Sequence, residues 1–213
     1  MAKHQYVCIP GGTTDPVQLE KLEAWAGRLS RSLKPGRFAH SLSVAAESVH
    51  LAEIHGLDIL RAEQAGLLHD CAKCLSPKEM RHIAEENSLT DDESILSNPG
   101  LLHSVVGAWV AEKEYGMADP LVLRAIRYHN TGCPGMARLD MCVCLADSIE
   151  PLRKSYPMLE KVRALAETSL ERALLLSLES TAEYVISRGC FLHPQTQDTI
   201  RWLRTLPAVI DNH

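Results

Sequence analysis

The stretch PLVLRAIRYHNTG, residues 120–132, decides the fold class. Counting back from His129, the residues at i−8, i−7, i−4 and i−3 are Leu121, Val122, Ala125 and Ile126, a spacing that stacks side chains on one face of an α-helix. A helix here turns that face to a core and carries the His129 imidazole inward with it. The same three- and four-residue spacing recurs from residue 18 onward and strict alternation is nearly absent, so the chain reads as all-α. Helices are expected near 18–32, 36–55, 58–73, 76–87, 99–115, 119–130, 137–150, 157–166, 168–188 and 194–206. Asp58, Ser76 and Asp119 suit N-caps, Pro77 and Pro120 suit first turns, and Gly56, Gly116 and Gly189 suit left-handed helix ends. Residues 88–98 read as a polar loop, and the chain divides into a loosely held arm (1–17), one domain (18–206) and a short tail (207–213).

Composition agrees with one domain of 213 residues, 46% of them hydrophobic and only 5% aromatic, which calls for an aliphatic core and excludes disorder for most of the chain. A net charge of −5 argues against broad binding to nucleic acid or anionic membrane, since both need a basic surface. No run reaches the ~18 apolar residues of a membrane helix, and MAKHQYVCIPGG is too weakly apolar for a signal peptide. Seven cysteines, an odd count without the spacing of a small disulfide framework, read as reduced thiols in a cytoplasmic protein.

Five further groups pass the test applied to His129. His103 is followed at i+3, i+4 and i+7 by Val106, Gly107 and Val110, and Asp147 is preceded at i−8, i−4 and i−3 by Leu139, Val143 and Cys144. His40 shares a stripe with Val44 and Leu51, and the pair His69-Asp70 closes the apolar run AGLL. One inward histidine is ordinarily a hydrogen-bonded core residue. Six imidazoles and carboxylates on apolar faces are costly to satisfy by hydrogen bonds alone, and a metal cluster is the simplest way to compensate them. His4, His50, His55, His82, His193 and His213 lack this combination and read as surface or structural residues.

The order His40, His69-Asp70, Asp147 resembles the signature of the HD-domain metal-dependent phosphohydrolases, all-helical enzymes named for the adjacent His-Asp pair. The segments AGLLHDCAK (65–73), LLHSVVGAWVAEKEYG (101–116), AIRYHNTG (125–132), LADSIEPLR (145–153) and RGCFLHPQT (188–196) are similar to the YqeK-like branch, which hydrolyses diadenosine tetraphosphate symmetrically to two ADP. The resemblance runs from about Arg37 to about Leu203 and implies a helical bundle around a buried di-metal site. It implies that His40, His69, Asp70 and Asp147 hold one metal, with Asp70 bridging to a second held by His103 and His129. Iron is the implied metal, although nitrogen and oxygen ligands also suit manganese, cobalt or zinc. Two metals ~3.5–4 Å apart can activate a shared water to hydroxide and polarise a phosphoryl oxygen.

A tetraphosphate needs further cations, and Lys73, one turn after the HD pair, is the first candidate, followed by Arg153 and Arg37. Asp70 and Lys73 are thus the expected catalytic residues. Asn130, Thr131 and Gly132 follow a metal-ligand position and are expected to contact substrate, while Glu150, one turn after Asp147, is placed to orient a ligand. The sequence departs from the family in Cys71, which with Cys74 makes a C-x-x-C; without an identified second pair, a zinc site is not the favoured reading. IPGGTTDPV (9–17) echoes a nucleotidyltransferase phosphate loop but lacks the H-x-G-H that should follow, so it reads as a turn. Trp25 and Trp109 read as packing residues. The competing functions are a phosphohydrolase of mononucleotides or alarmone nucleotides, a di-iron oxygenase on the same ligands, and a nucleotide-binding module without turnover. A homodimer through the C-terminal helices is also compatible with the composition.

Overall fold

The computed structural model describes residues 9–210, so His4, Cys8 and His213, the first part of the arm and the end of the tail lie outside the described residues. Twelve α-helices follow one another among those residues: α1 (Pro16–Ser32), α2 (Pro35–Ile54), α3 (Ile59–Leu68), α4 (Pro77–Glu86), α5 (Glu93–Leu96), α6 (Pro99–Tyr115), α7 (Pro120–Tyr128), α8 (Arg138–Ile149), α9 (Leu159–Ala166), α10 (Leu170–Ser187), α11 (Pro194–Leu203) and α12 (Pro207–Ile210). No strand occurs among the described residues, and no helix there is long and apolar enough to cross a membrane.

Local chemistry sets most of the helix ends. The side chains of Asp58, Ser76 and Asp119 accept backbone N–H bonds from Arg61, Glu79 and Leu121, and Ser76 and Glu79 complete a reciprocal capping box. Gly56, Gly116 and Gly189 adopt φ of +64°, +67° and +65°, as chain reversals after helices require. The differences from expectation have the same kind of cause. Asp15 caps α1 through Val17 N at 2.9 Å, which starts the helix at Pro16. Residues 9–15 are docked, not loose: Ile9 is buried and the Thr13 N–H donates to Glu63 Oε2 at 2.9 Å. Inside the expected loop 88–98, Asp92 accepts from Ser94 N at 2.8 Å and nucleates α5.

The largest difference lies at the HD pair, where the helix expected over 58–73 stops at Leu68 and resumes as a short 3-10 turn over Cys71–Cys74. Asp70, at φ −105° and ψ 16°, sits in the sparsely populated bridge region between the two. Consecutive residues of a continuous α-helix point about 100° apart. His69 keeps helical dihedrals, φ −52° and ψ −37°, and the chain departs from the helix at Asp70.

α8 is the central helix, packed against α2, α3, α7 and α10. Its residues Leu139 to Ala146 are all buried, as expected of a helix enclosed on most sides. α2 and α3 approach most closely at Gly66, where an added Cβ would lie 2.8 Å from Ala45 Cα and 2.8 Å from Ser48 Oγ. Backbone atoms cannot yield to that Cβ as the end of a flexible side chain would. Gly66→Ala is therefore expected to destabilise the protein by about 1–3 kcal/mol, read as a lower urea midpoint with unchanged slope; an unaltered midpoint would show that the helices separate at little cost.

Candidate metal centre

Five elements bring six side chains to one interior point: His40 from α2, His69 and Asp70 from the break after α3, His103 from α6, His129 from the end of α7, and Asp147 from α8. All but Asp147 are buried, and Asp147 keeps 19% of its side chain exposed. The four imidazoles form a chain, with ring centroids 5.2 Å apart for His40–His69, 5.0 Å for His69–His129 and 5.0 Å for His103–His129. The carboxylates sit between them. Asp147 Oδ1 lies 3.0 Å from His40 Nε2 and 4.0 Å from His69 Nε2, and Asp70 Oδ2 lies 3.5 Å from His69 Nε2. On the other side, Asp70 Oδ1 is 3.3 Å from His103 Nε2. Donor atoms of His40, His69 and Asp147 lie close enough together to hold one ion, as do those of His69, Asp70 and His129.

The orientation of the rings is built in. Nδ1 of His69 bonds Gly66 O and Nδ1 of His129 bonds Ile126 O, both at 2.7 Å, and each partner is the residue three positions earlier. Nδ1 of His40 bonds Glu150 Oε1 at 3.0 Å, and the other Glu150 oxygen accepts the Leu152 N–H at 2.6 Å. With Nδ1 acting as donor in each, all three rings turn Nε2 toward the carboxylates. The Nε2 atoms of His40 and His69 are buried without a hydrogen-bond partner, and the Nε2 atoms of His103 and His129 face each other at 3.1 Å. Two of these nitrogens are orphaned polar groups, which are costly to bury unless something accepts their lone pairs. Nitrogen- and carboxylate-binding metals suit this donor set, and the two groups of donors overlap at His69, whose Nδ1 is already engaged by Gly66 O.

The electrostatics carry the same demand for positive charge. Burial works against the Asp70 and Asp147 carboxyls, yet His69 and His103 around the first, and His40, His69, His129 and Arg153 around the second, hold both well below the usual carboxylate range. Burial alone would lower His69, but the neighbouring Asp70 carboxylate reverses this and raises it. Burial, with His69 and His103 alongside, pushes His129 down to about 3, so this ring is neutral at pH 7 and available as a ligand.

Cations surround the carboxylates. Arg37 donates from Nη1 to Asp70 Oδ2 at 2.7 Å, and Arg153 Nη1 lies 3.5 Å from Asp147 Oδ1. Half-buried Lys73 is lowered first by its burial, then partly restored by Asp70 and Asp147. A cavity of about 390 Å³ opens at His40, lined by Arg37, Glu150, Arg153 and Lys154. The Asn130-Thr131-Gly132 turn divides in two. Asn130 is half-buried, whereas the Thr131 hydroxyl and Gly132 carbonyl accept bonds from Gln195 Nε2 at 2.8 and 2.5 Å, and Thr131 O accepts from Thr199 Oγ1 at 3.2 Å. Gly132 adopts φ +63°, and a Cβ there would lie 2.5 Å from Thr199 Cγ2, so the turn after His129 is clasped to α11.

Sequence reasoning passed over Lys154, Arg163, Gln195 and Thr199. Arg163 bonds Ile149 O and Glu150 O, both at 2.9 Å, and so fixes the end of α8 from which Glu150 reaches His40. Lys154 had a signal, its adjacency to Arg153, and so had Gln195, which lies in the segment RGCFLHPQT; Arg163 and Thr199 act through backbone atoms distant in sequence and had none. Among the described residues, the remaining histidines make contacts away from this centre. His50 pairs with Glu167, His55 bonds Ala166 O, His82 pairs with Glu86, and buried His193 bonds Asp92. The C-x-x-C joins no metal-competent group among the described residues: Cys71 Sγ donates to Gly107 O at 3.3 Å and Cys74 Sγ to Cys71 O at 3.3 Å.

The HD domain family matches residues 37–152. The chain is 36% identical over 175 residues to a protein of Bacillus subtilis named symmetrical bis(5'-nucleosyl)-tetraphosphatase, covering 82% of this chain and 93% of that protein. A protein of the same name from Halalkalibacterium halodurans is also 36% identical, covering 78% of this chain and 88% of the relative. Among solved structures, one described as a predicted HD superfamily hydrolase involved in NAD metabolism from Clostridium acetobutylicum superposes with a TM-score of 0.78 at 34% identity, covering 84% of this chain and 95% of that one.

Because Glu150 holds His40 by its Nδ1, Glu150→Ala is expected to weaken metal affinity by about 10–100-fold, measured by competition with a chromogenic chelator. Unchanged affinity would remove Glu150 from any orienting role.

Proposed function

Since the chain belongs to the HD domain family, in the branch of the symmetrical bis(5'-nucleosyl)-tetraphosphatases, we propose that it hydrolyses diadenosine tetraphosphate and related dinucleoside polyphosphates symmetrically to two nucleoside diphosphates. It is a hydrolase of phosphoric anhydrides. The finer reading takes iron as the metal, with His40, His69, Asp70 and Asp147 holding one ion, His103 and His129 the other, and the Asp70 carboxylate shared. The observation that carries it is the pairing of convergent Nε2 and carboxylate donors with a cationic cavity that opens beside them. When bound, a metal pair supplies an activated water and neutralises charge on phosphoryl oxygens.

The chain's own residues do the rest. Arg37, Arg153 and Lys154 line the cavity and bind the polyphosphate, with arginine suited to paired contacts with phosphate oxygens. Lys73, close enough to sense both Asp70 and Asp147, meets the charge that develops on the phosphoryl group under attack. Glu150 holds His40 in register. Asn130 is the member of its turn that remains available to substrate, while Thr131 and Gly132 keep the turn in place. The same reading takes the enzyme as cytoplasmic and its partner as a nucleotide instead of nucleic acid, in keeping with a net charge of −5.

The test is anaerobic loading with iron, addition of diadenosine tetraphosphate and chromatographic separation of the nucleotides. ADP as the sole product supports the proposal; ATP with AMP overturns symmetrical attack, and no turnover by metal-replete protein overturns the substrate. Asp70→Ala is expected to lose metal at both positions by elemental analysis, and metal content equal to wild type would contradict the shared carboxylate. Lys73→Ala is expected to keep its metal and lose about a hundredfold in kcat; full activity would take Lys73 out of the mechanism.

A further inference from the structure

We propose that the cavity between the Arg153 loop and α10 is a nucleoside subsite in which Tyr156 and Tyr184 hold one base of the substrate, with Arg153 linking it to the metal centre. The cavity has a volume of about 430 Å³, within the range of small-molecule sites. It begins at Ser148, the residue after Asp147, and Arg153 lines both this cavity and the one that opens at His40. A guanidinium 3.5 Å from Asp147 Oδ1 therefore stands where a polyphosphate leaving the centre would turn toward its nucleoside.

The walls suit a base. Tyr156 is half-buried against the core, whereas Tyr184 is 66% exposed and its phenol makes no hydrogen bond among the described residues. Tyr184 shares its face of α10 with Ser180 and Thr181, one turn earlier, and all three line the cavity. An isolated exposed aromatic is ordinary; here two aromatic rings line one cavity that reaches back to Ser148 and Arg153, the neighbours of Asp147. No carboxylate lines it, although acidic residues outnumber basic ones by 27 to 22 in the chain. Its charge is that of Arg153, which complements a base tethered to phosphates.

A larger cavity of about 540 Å³ beside Trp109 is the weaker candidate. It shares no lining residue with the cavity at His40, includes the carboxylate of Glu112, and its Arg124 already pairs with Asp140 at 3.1 Å.

Stacking on tyrosine reads the face of a base instead of its edge, so this subsite takes adenine and guanine alike. The inference rests on the proposed substrate, and its test is chosen to stand apart from it. Metal-loaded wild type, Tyr184→Ala and Tyr184→Phe are compared in steady-state hydrolysis of diadenosine tetraphosphate and, by calorimetry, in binding of ADP and of pyrophosphate. Tyr184→Ala is expected to raise KM and weaken ADP about tenfold, with kcat and pyrophosphate affinity retained, and Tyr184→Phe to restore both. Unchanged KM and ADP affinity, or equal losses of ADP and pyrophosphate, overturn the subsite. If the wild type leaves diadenosine tetraphosphate intact, the hydrolytic reading fails, while an ADP-selective loss in Tyr184→Ala still supports the subsite and its absence overturns it.

Discussion

Three hydrogen bonds from Nδ1, made by His40 to Glu150 and by His69 and His129 to the carbonyls of Gly66 and Ile126, govern the centre. An imidazole has two nitrogens, and fixing the proton on one leaves a lone pair on the other. Two of the three partners are carbonyls on the residue three positions earlier, so the geometry of a helix end itself aims the ring. The third partner is a carboxylate held in turn by the Leu152 N–H. Asp70 and Asp147 then occupy the space toward which the rings converge, and the surrounding aliphatic core makes every unmet charge there expensive.

Much of this was legible because helical periodicity reports which face is buried. His129, His103 and Asp147 each sit on an apolar stripe, and that was enough to send them inward. Asp58, Ser76 and Asp119 were recognisable as caps because their chemistry is local. The break between Leu68 and Cys71 was not legible, since the run AGLLHDCAK reads as one continuous helix and carries no Gly or Pro beside Asp70 to mark its bridge conformation. Arg163 and Thr199 were invisible for a related reason: they bond backbone carbonyls, and a backbone carbonyl leaves no mark on the sequence.

Charge is layered around the centre. The donor set is negative and buried, a ring of Arg37, Lys73 and Arg153 compensates it, and the wider chain is acidic. Arg37 contacts Asp70 directly while remaining 41% exposed along its side chain. Such a residue faces both ways, toward the carboxylate below it and toward whatever anion enters the cavity above. The tight approach of α2 to α3 at Gly66 keeps this arrangement compact, because His40 on α2 and His69 just beyond α3 depend on that spacing.

The bond between His40 and Glu150 spans 110 residues of sequence. During synthesis, His40 leaves the ribosome long before the carboxylate that orients it exists, and the clasp of Gln195 and Thr199 on the turn after His129 comes later still. Chains are made at about 5–20 residues per second, so for several seconds a nascent chain displays histidines and Asp70 without the partners that aim them. The metal centre is therefore among the last features of the molecule to mature. A chain that ends before Glu150 lacks the carboxylate that orients His40.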